Sequence, residues 1–111
     1  MFDFLKIIGK LSEIKDKSKE IKDRLRFTEI VYKSDSSNIS VYATADKEFR
    51  KIEISEELLS GNDKDRLEKE LVLAINATIK LCSEKSAEEL KEGLKDHIPD
   101  IPGLDVEKLF S

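Results

Sequence analysis

Tryptophan is absent from the sequence; cysteine, histidine and methionine occur once each, proline twice and glycine four times. Each scarcity removes a class of function. One cysteine, Cys82, permits no intrachain disulfide, which suits a reducing cytoplasm. One histidine, His97, beside Ile98-Pro99, leaves no Cys/His cluster at metal-ligand spacing. The few glycines form neither a phosphate-binding loop nor a dinucleotide fingerprint. Long apolar runs are missing too. Phe4-Leu5 is split from Ile7-Ile8 by Lys6, far short of a membrane span and without a signal peptide's cleavage site. The expectation is a soluble intracellular protein that is not an enzyme. No cofactor, metal, membrane or small-molecule substrate is expected. Cys82 falls on the apolar face of a helix and reads as packing rather than as a nucleophile.

Charge is what the chain has in quantity. Of 111 residues 40% are charged and 39% hydrophobic, a mix that suits long helices over a thin core in one domain, 1–111. A thin core invites a second copy to cover what one chain leaves bare. The net charge of -4 argues by itself against a nucleic-acid partner. The average conceals an asymmetry, because Lys6 to Arg26 holds eight Lys/Arg against four Asp/Glu. The N-terminal arm is basic and the remainder acidic.

Periodicity divides the chain into four. Over 1–26, Phe4, Ile7, Leu11, Ile14, Ser18, Ile21 and Leu25 recur in alternating steps of three and four, the narrow seam of a coiled-coil-like helix. Over 27–55, Phe27–Lys33, Ile39–Ala45 and Phe49–Ile54 alternate with β-branched and aromatic residues. Short turns between them imply an antiparallel three-stranded meander that needs cover on one face. Over 60–95, Ser60-Gly61-Asn62-Asp63 supplies stop and N-cap chemistry, and Leu67, Leu71, Ala74, Ile75, Thr78 and Cys82 follow at helical spacing. The tail, 96–111, is broken by Pro99 and Pro102 and closes on Val106, Leu109 and Phe110.

This order resembles the YbaB/EbfC family. Ile39-Ser40-Val41-Tyr42-Ala43 looks like its second strand, and Lys47 to Leu59 is similar to its GEVKSVKIDPELL-type stretch. Asp63 to Leu71 is similar to DKExLEDL, and Leu73 to Lys80, with Asn76, looks like the AAVNDALRK-type helix. Ile101-Pro102-Gly103-Leu104 resembles the closing Pro-Gly stretch. Departures fall where the family favours glycine: Asp35-Ser36-Ser37 in the first hairpin turn, and Tyr32, Ala45 and Lys47. Asp and Ser can build such a turn by bonding their side chains to the backbone. The resemblance implies an α+β homodimer with joined sheets, paired helices projecting like tweezers, sequence-tolerant duplex DNA binding and a cytoplasmic, nucleoid-associated role.

Two readings of the basic arm stay open. In one, Lys6, Lys15, Lys19, Lys22 and Arg26, with Lys33, meet phosphates and release counterions. In the other, the shoulder lysines pair with an acidic neighbouring helix, for which Glu88, Glu89 and Glu92 are suited. The expected core and dimer residues are Ile30, Tyr32, Val41, Tyr42, Ile52, Ile54 and Asn76. Asn76 reads as a buried amide bonded to a strand or to the other subunit, with ligand contact as the alternative. A rival function is a protein–protein adaptor that docks through the heptad seam and the tail from Ile98 to Phe110.

Overall fold

A computed structural model describes residues 4–97. The elements run α1 (Phe4–Leu25), β1 (Glu29–Lys33), β2 (Ile39–Thr44), β3 (Phe49–Ile54), α2 (Glu56–Ser60) and α3 (Lys64–Leu94). The fold is thus α+β, with a long helix before and another after, in chain order, a three-stranded antiparallel sheet in the order β1-β2-β3. The Pro/Gly-containing tail from Ile98 onward lies outside the described residues.

Local chemistry sets the boundaries. Asp63 caps α3 by accepting the Arg66 backbone N–H at 3.1 Å, and Asp65 in the first turn favours the same helix end. Ser55 caps α2 by accepting the Leu58 N–H at 3.1 Å, while its hydroxyl donates to Asn38 Oδ1 at 2.8 Å. That bond ties the exit of β3 to the first hairpin and satisfies a buried amide. The sequence does not separate this short helix from the strand before it.

The hairpin turns form without glycine, as the side chains suggest. Ser34 Oγ accepts from the Ile39 N–H at 3.1 Å, and Ser36 Oγ from that of Asn38 at 3.4 Å. Ser37 and Lys47 both take positive φ, 61° and 71°, a region in which glycine carries no steric cost. Lys47 is one of the positions where the family favours glycine, and here a lysine bears the strain.

One face of the sheet carries the core. Ile39, Val41, Leu58 and Ala74 are buried together, with Tyr32, Ile54, Leu67 and Leu71 packed around them. α3 lies chiefly over β1 and β2. Further along α3, Cys82 is wholly buried and its thiol donates to the Thr44 carbonyl at 3.3 Å. Burial pushes that thiol upward from its ordinary pKa, as packing rather than nucleophilic chemistry requires.

α1 packs against the end of α3, where Gly93 lets Ile21 approach; a Cβ there would sit 2.3 Å from Ile21 Cδ1. His97 Nδ1 stands 4.0 Å from Glu13 Oε2. Ile21 opposite Gly93 and Glu13 opposite His97 set the helices antiparallel, so the first turns of α1 run on past α3. The molecule is a rod, with a radius of gyration of 19.7 Å against about 13 Å for a compact chain of this length.

Candidate nucleic-acid interface

The six candidate cations separate into one group and two outliers. At 3.6 residues per turn, Lys15, Lys19, Lys22 and Arg26 fall within about 60° of one another on α1 and span about 16 Å. That length matches about five phosphates of one DNA strand at 3.4 Å each. All four are exposed. Arg26 lies just past the helix end, yet its N–H still reaches the Asp23 carbonyl at 3.3 Å, which keeps it in phase. Its guanidinium stands over the Phe27 ring at 6.0 Å. Phe27, expected as the first strand residue, instead lies in the turn and is 84% exposed.

Lys6 falls on roughly the opposite side of α1 from this stripe, about 170° away by helical phase. Lys33 sits on the outer face of the sheet. There Glu53 is held below the ordinary carboxylate range by the Tyr42 phenol, then by Lys51, with a smaller contribution from Lys33. Neither outlier joins the stripe. Asp16 and Asp23 flank it on the adjoining face and temper its potential.

Two of the acidic side chains near the end of α3 pair with nearby lysines of the same stretch. Lys85 pairs with Glu89 at 3.1 Å and Lys95 with Glu92 at 3.1 Å. The bond to Glu89, with Glu88 nearby, raises the Lys85 pKa above its ordinary value. On α1, Lys17 pairs with Glu20 at 3.5 Å. Among the described residues no ion pair holds Lys15, Lys19, Lys22 or Arg26. The shoulder lysines Lys15 and Lys22 are therefore not sealed by Glu88, Glu89 or Glu92.

The expected core and dimer residues also divide. Val41 is fully buried within one chain, so it belongs to the core and is closed to a second copy. Tyr42 points to the opposite face, where Lys51 Nζ lies 5.7 Å from its ring centroid, so it shares no surface with Val41, Ile52 and Ile54. Ile30 and Tyr32 are half-buried. Ile52 is 41% exposed beside the half-buried Ile54. Asn76 is exposed on α3, which corrects the expectation of an amide bonded to a strand beneath it.

Asn76 lies between Val72 and Ile79 on one flank of α3, and both of those are exposed. The other flank, Leu81, Lys85 and Glu88, borders Glu29 to Val31 of β1. By helix phase Ile79 falls on the side of α3 away from β1; on β3, Phe49 and Ile52 are 38% and 41% exposed. Sequence reading passed over Val72, Ile79 and Phe49. The signal was an apolar stripe on α3 wider than one core face needs.

Among the described residues no group of three or more His, Cys, Asp or Glu side chains could hold a metal ion. Among them, no helix is long and apolar enough to cross a membrane.

Fold and site together define an α+β protein in which a small, half-covered sheet lies between two long helices in the chain and the first helix carries one exposed cationic stripe. The chain belongs to the YbaB/EbfC DNA-binding family, whose model matches residues 1–96. That is a family of DNA-binding proteins rather than of enzymes. Over 103 residues it is 31% identical to a nucleoid-associated protein of Flavobacterium johnsoniae, covering 93% of this chain and 95% of that one. The fold is similar to the crystal structure of an uncharacterized protein from Helicobacter pylori, with a TM-score of 0.67 and 24% identity over 79% of this chain and 92% of the other.

Proposed function

We propose that this protein is a nucleoid-associated protein of the cytoplasm that binds duplex DNA with little sequence preference, as a homodimer, through the basic face of α1. The observation that carries the reading is the stripe Lys15, Lys19, Lys22 and Arg26, exposed and without ion pairs among the described residues. Such a stripe meets phosphates and carries no base code. The family, and the name of the Flavobacterium relative, support the same reading. Support for the homodimer comes from the bare apolar surface of Phe49, Ile52, Val72 and Ile79, together with β3 as an edge strand open to pairing. Asn76 would then face the second copy.

The test is a salt series on a duplex of arbitrary sequence. Binding should weaken as salt rises. Charge reversal at Lys19→Glu, Lys22→Glu and Arg26→Glu should flatten the log–log slope by about 0.9 for each phosphate no longer neutralised. Lys6→Glu should change it less.

The adaptor reading is favoured by a separate observation, the exposed apolar side chains of Leu5, Ile8 and Leu11 at the far end of α1. It requires any DNA retention to be indifferent both to salt and to the charge reversals, and that result would overturn the DNA proposal.

A further inference from the structure

We infer, on the reading that the α1 stripe holds DNA, that Phe27 is a stacking residue whose ring inserts beside an unstacked base where the duplex is kinked. Among the described residues Phe27 is the most exposed large apolar side chain, at 84%. A loose loop can turn such a ring inward, away from water. This one is held out. Leu25 before it is buried in the core, and the Thr28 carbonyl after it accepts the Ala45 N–H at 2.9 Å. Between those anchors the Phe27 N–H donates to the Arg24 carbonyl at 3.0 Å, and the Thr28 N–H to the Leu25 carbonyl at 3.2 Å. The Thr28 hydroxyl adds a bond to the Arg24 carbonyl at 3.1 Å. The backbone that carries the ring is therefore fixed, which limits the ordering cost of binding.

Position and charge point to a base as the ring's partner. The Arg26 guanidinium stands 6.0 Å from the ring centroid, which puts the ring at the end of the stripe of Lys15, Lys19, Lys22 and Arg26. Phenylalanine wedges beside phosphate-binding cations enter between base steps and kink the duplex. The unstacking this requires costs least where the stack is already broken. Every base has a π-face, so the contact selects deformed DNA without reading its sequence. A second copy of the chain fits worse. Phe27 precedes β1, at the opposite edge of the sheet from β3, whereas the bare apolar residues Phe49, Ile52, Val72 and Ile79 belong to β3 and α3. The residues before the ring include Asp23, Arg24 and Arg26, and the core of a protein–protein interface is depleted of charge.

The test gives the full-length protein two duplexes of one sequence, one continuous and one with a two-nucleotide bulge. The bulged duplex should bind at least about fivefold more tightly. Phe27→Ser should bring that ratio to one and leave the salt slope unchanged, because no phosphate contact is lost. Lys19→Glu should weaken both duplexes alike and leave the ratio as it was. The chain has no tryptophan, so Phe27→Trp supplies a single reporter. It should keep the ratio, and the bulged duplex should quench its emission more than the continuous one does. A wild-type ratio of one, or a ratio that Phe27→Ser leaves unchanged, overturns the inference while salt-dependent binding still upholds the DNA reading. Absence of binding to either duplex overturns that reading and the inference with it. A single strand of the same sequence held as tightly as the bulged duplex overturns the placement at a kink. Quenching that follows protein concentration without DNA assigns the ring to a second copy and overturns it equally.

Discussion

Val41 and Ile52 are register partners on one face of one sheet, yet Val41 is fully buried and Ile52 is 41% exposed. Both strands have β-forming residues and alternate apolar with polar side chains. What differs is the reach of α3, which crosses β1 and β2 and leaves much of β3 uncovered. The same division recurs on α1, where Ile21 and Leu25 are sealed while no described element covers Leu5 and Leu11. Burial here is set by where one 31-residue helix happens to lie, not by the character of the residue.

The sharpest way to break that comparison is to truncate both partners. Val41→Ala should lower unfolding stability by about 2 kcal/mol, through lost transfer energy and the cavity left behind. Its cost should be the same at any protein concentration. Ile52→Ala should cost less than about 1 kcal/mol at high dilution, because its side chain is already part-solvated. Its cost should grow with concentration if a second copy covers β3. Urea unfolding at two concentrations, a hundredfold apart, measures both. Equal, concentration-independent costs would mean that β3 needs no cover.

Glycine offers a second contrast of the same kind. At Gly93, where α3 meets α1, a valine would collide with the buried Ile21. We expect a net loss of about 1–2 kcal/mol after the gain in helix propensity is set against overpacking. At Gly9, on the bare part of α1, an alanine meets nothing within 4 Å. It should stabilise the helix by up to about 1 kcal/mol. Thermal melts of the two variants should shift in opposite directions; a shift in the same direction would place the α1–α3 packing elsewhere.

Much of this architecture was legible because the signals were local. The three–four spacing of Ile14, Ser18, Ile21 and Leu25, the alternation of Ile39, Val41 and Ala43, and the Asp63 cap each depend on neighbours a few residues away. The short helix after Ser55 was hidden because five residues are too few to show a period. Asn76 is exposed within one chain, a placement hidden because periodicity gives the apolar stripe but not its width. Val72 and Ile79 extend that stripe past the sheet, and Asn76 falls in the extension. The six candidate cations do not all share one face. Lys6 and Lys33 are basic like the others, but charge in a sequence window does not specify a face, and helix phase does.

The smallest expected effect concerns the sheet's outer face, which no helix reaches. There the Tyr42 phenol donates to Glu53, and Lys51 Nζ lies 3.7 Å from Glu53 Oε1. The hydrogen bond to Glu53 and the charge of Glu53 raise the tyrosine pKa. The same bond, then Lys51, lowers that of the carboxyl. A lowered carboxyl contributes stability above its unfolded pKa and loses it as pH falls through the folded value. A raised phenol contributes below its unfolded pKa and loses it as pH rises through the folded value. Both contributions are present at neutral pH, and both are small at so exposed a site. Tyr42→Phe should move the Glu53 titration, followed by carboxyl carbon shifts, upward toward the ordinary range, and Lys51→Met should move it less. Glu53→Gln should bring the Tyr42 titration down. If a second copy joins at β3 and the bare flank of α3, the outer face stays in water, and these titrations will be identical in dilute and concentrated protein. A concentration-dependent midpoint would move the interface to this face instead, and the exposed side of Ile52 would need another explanation.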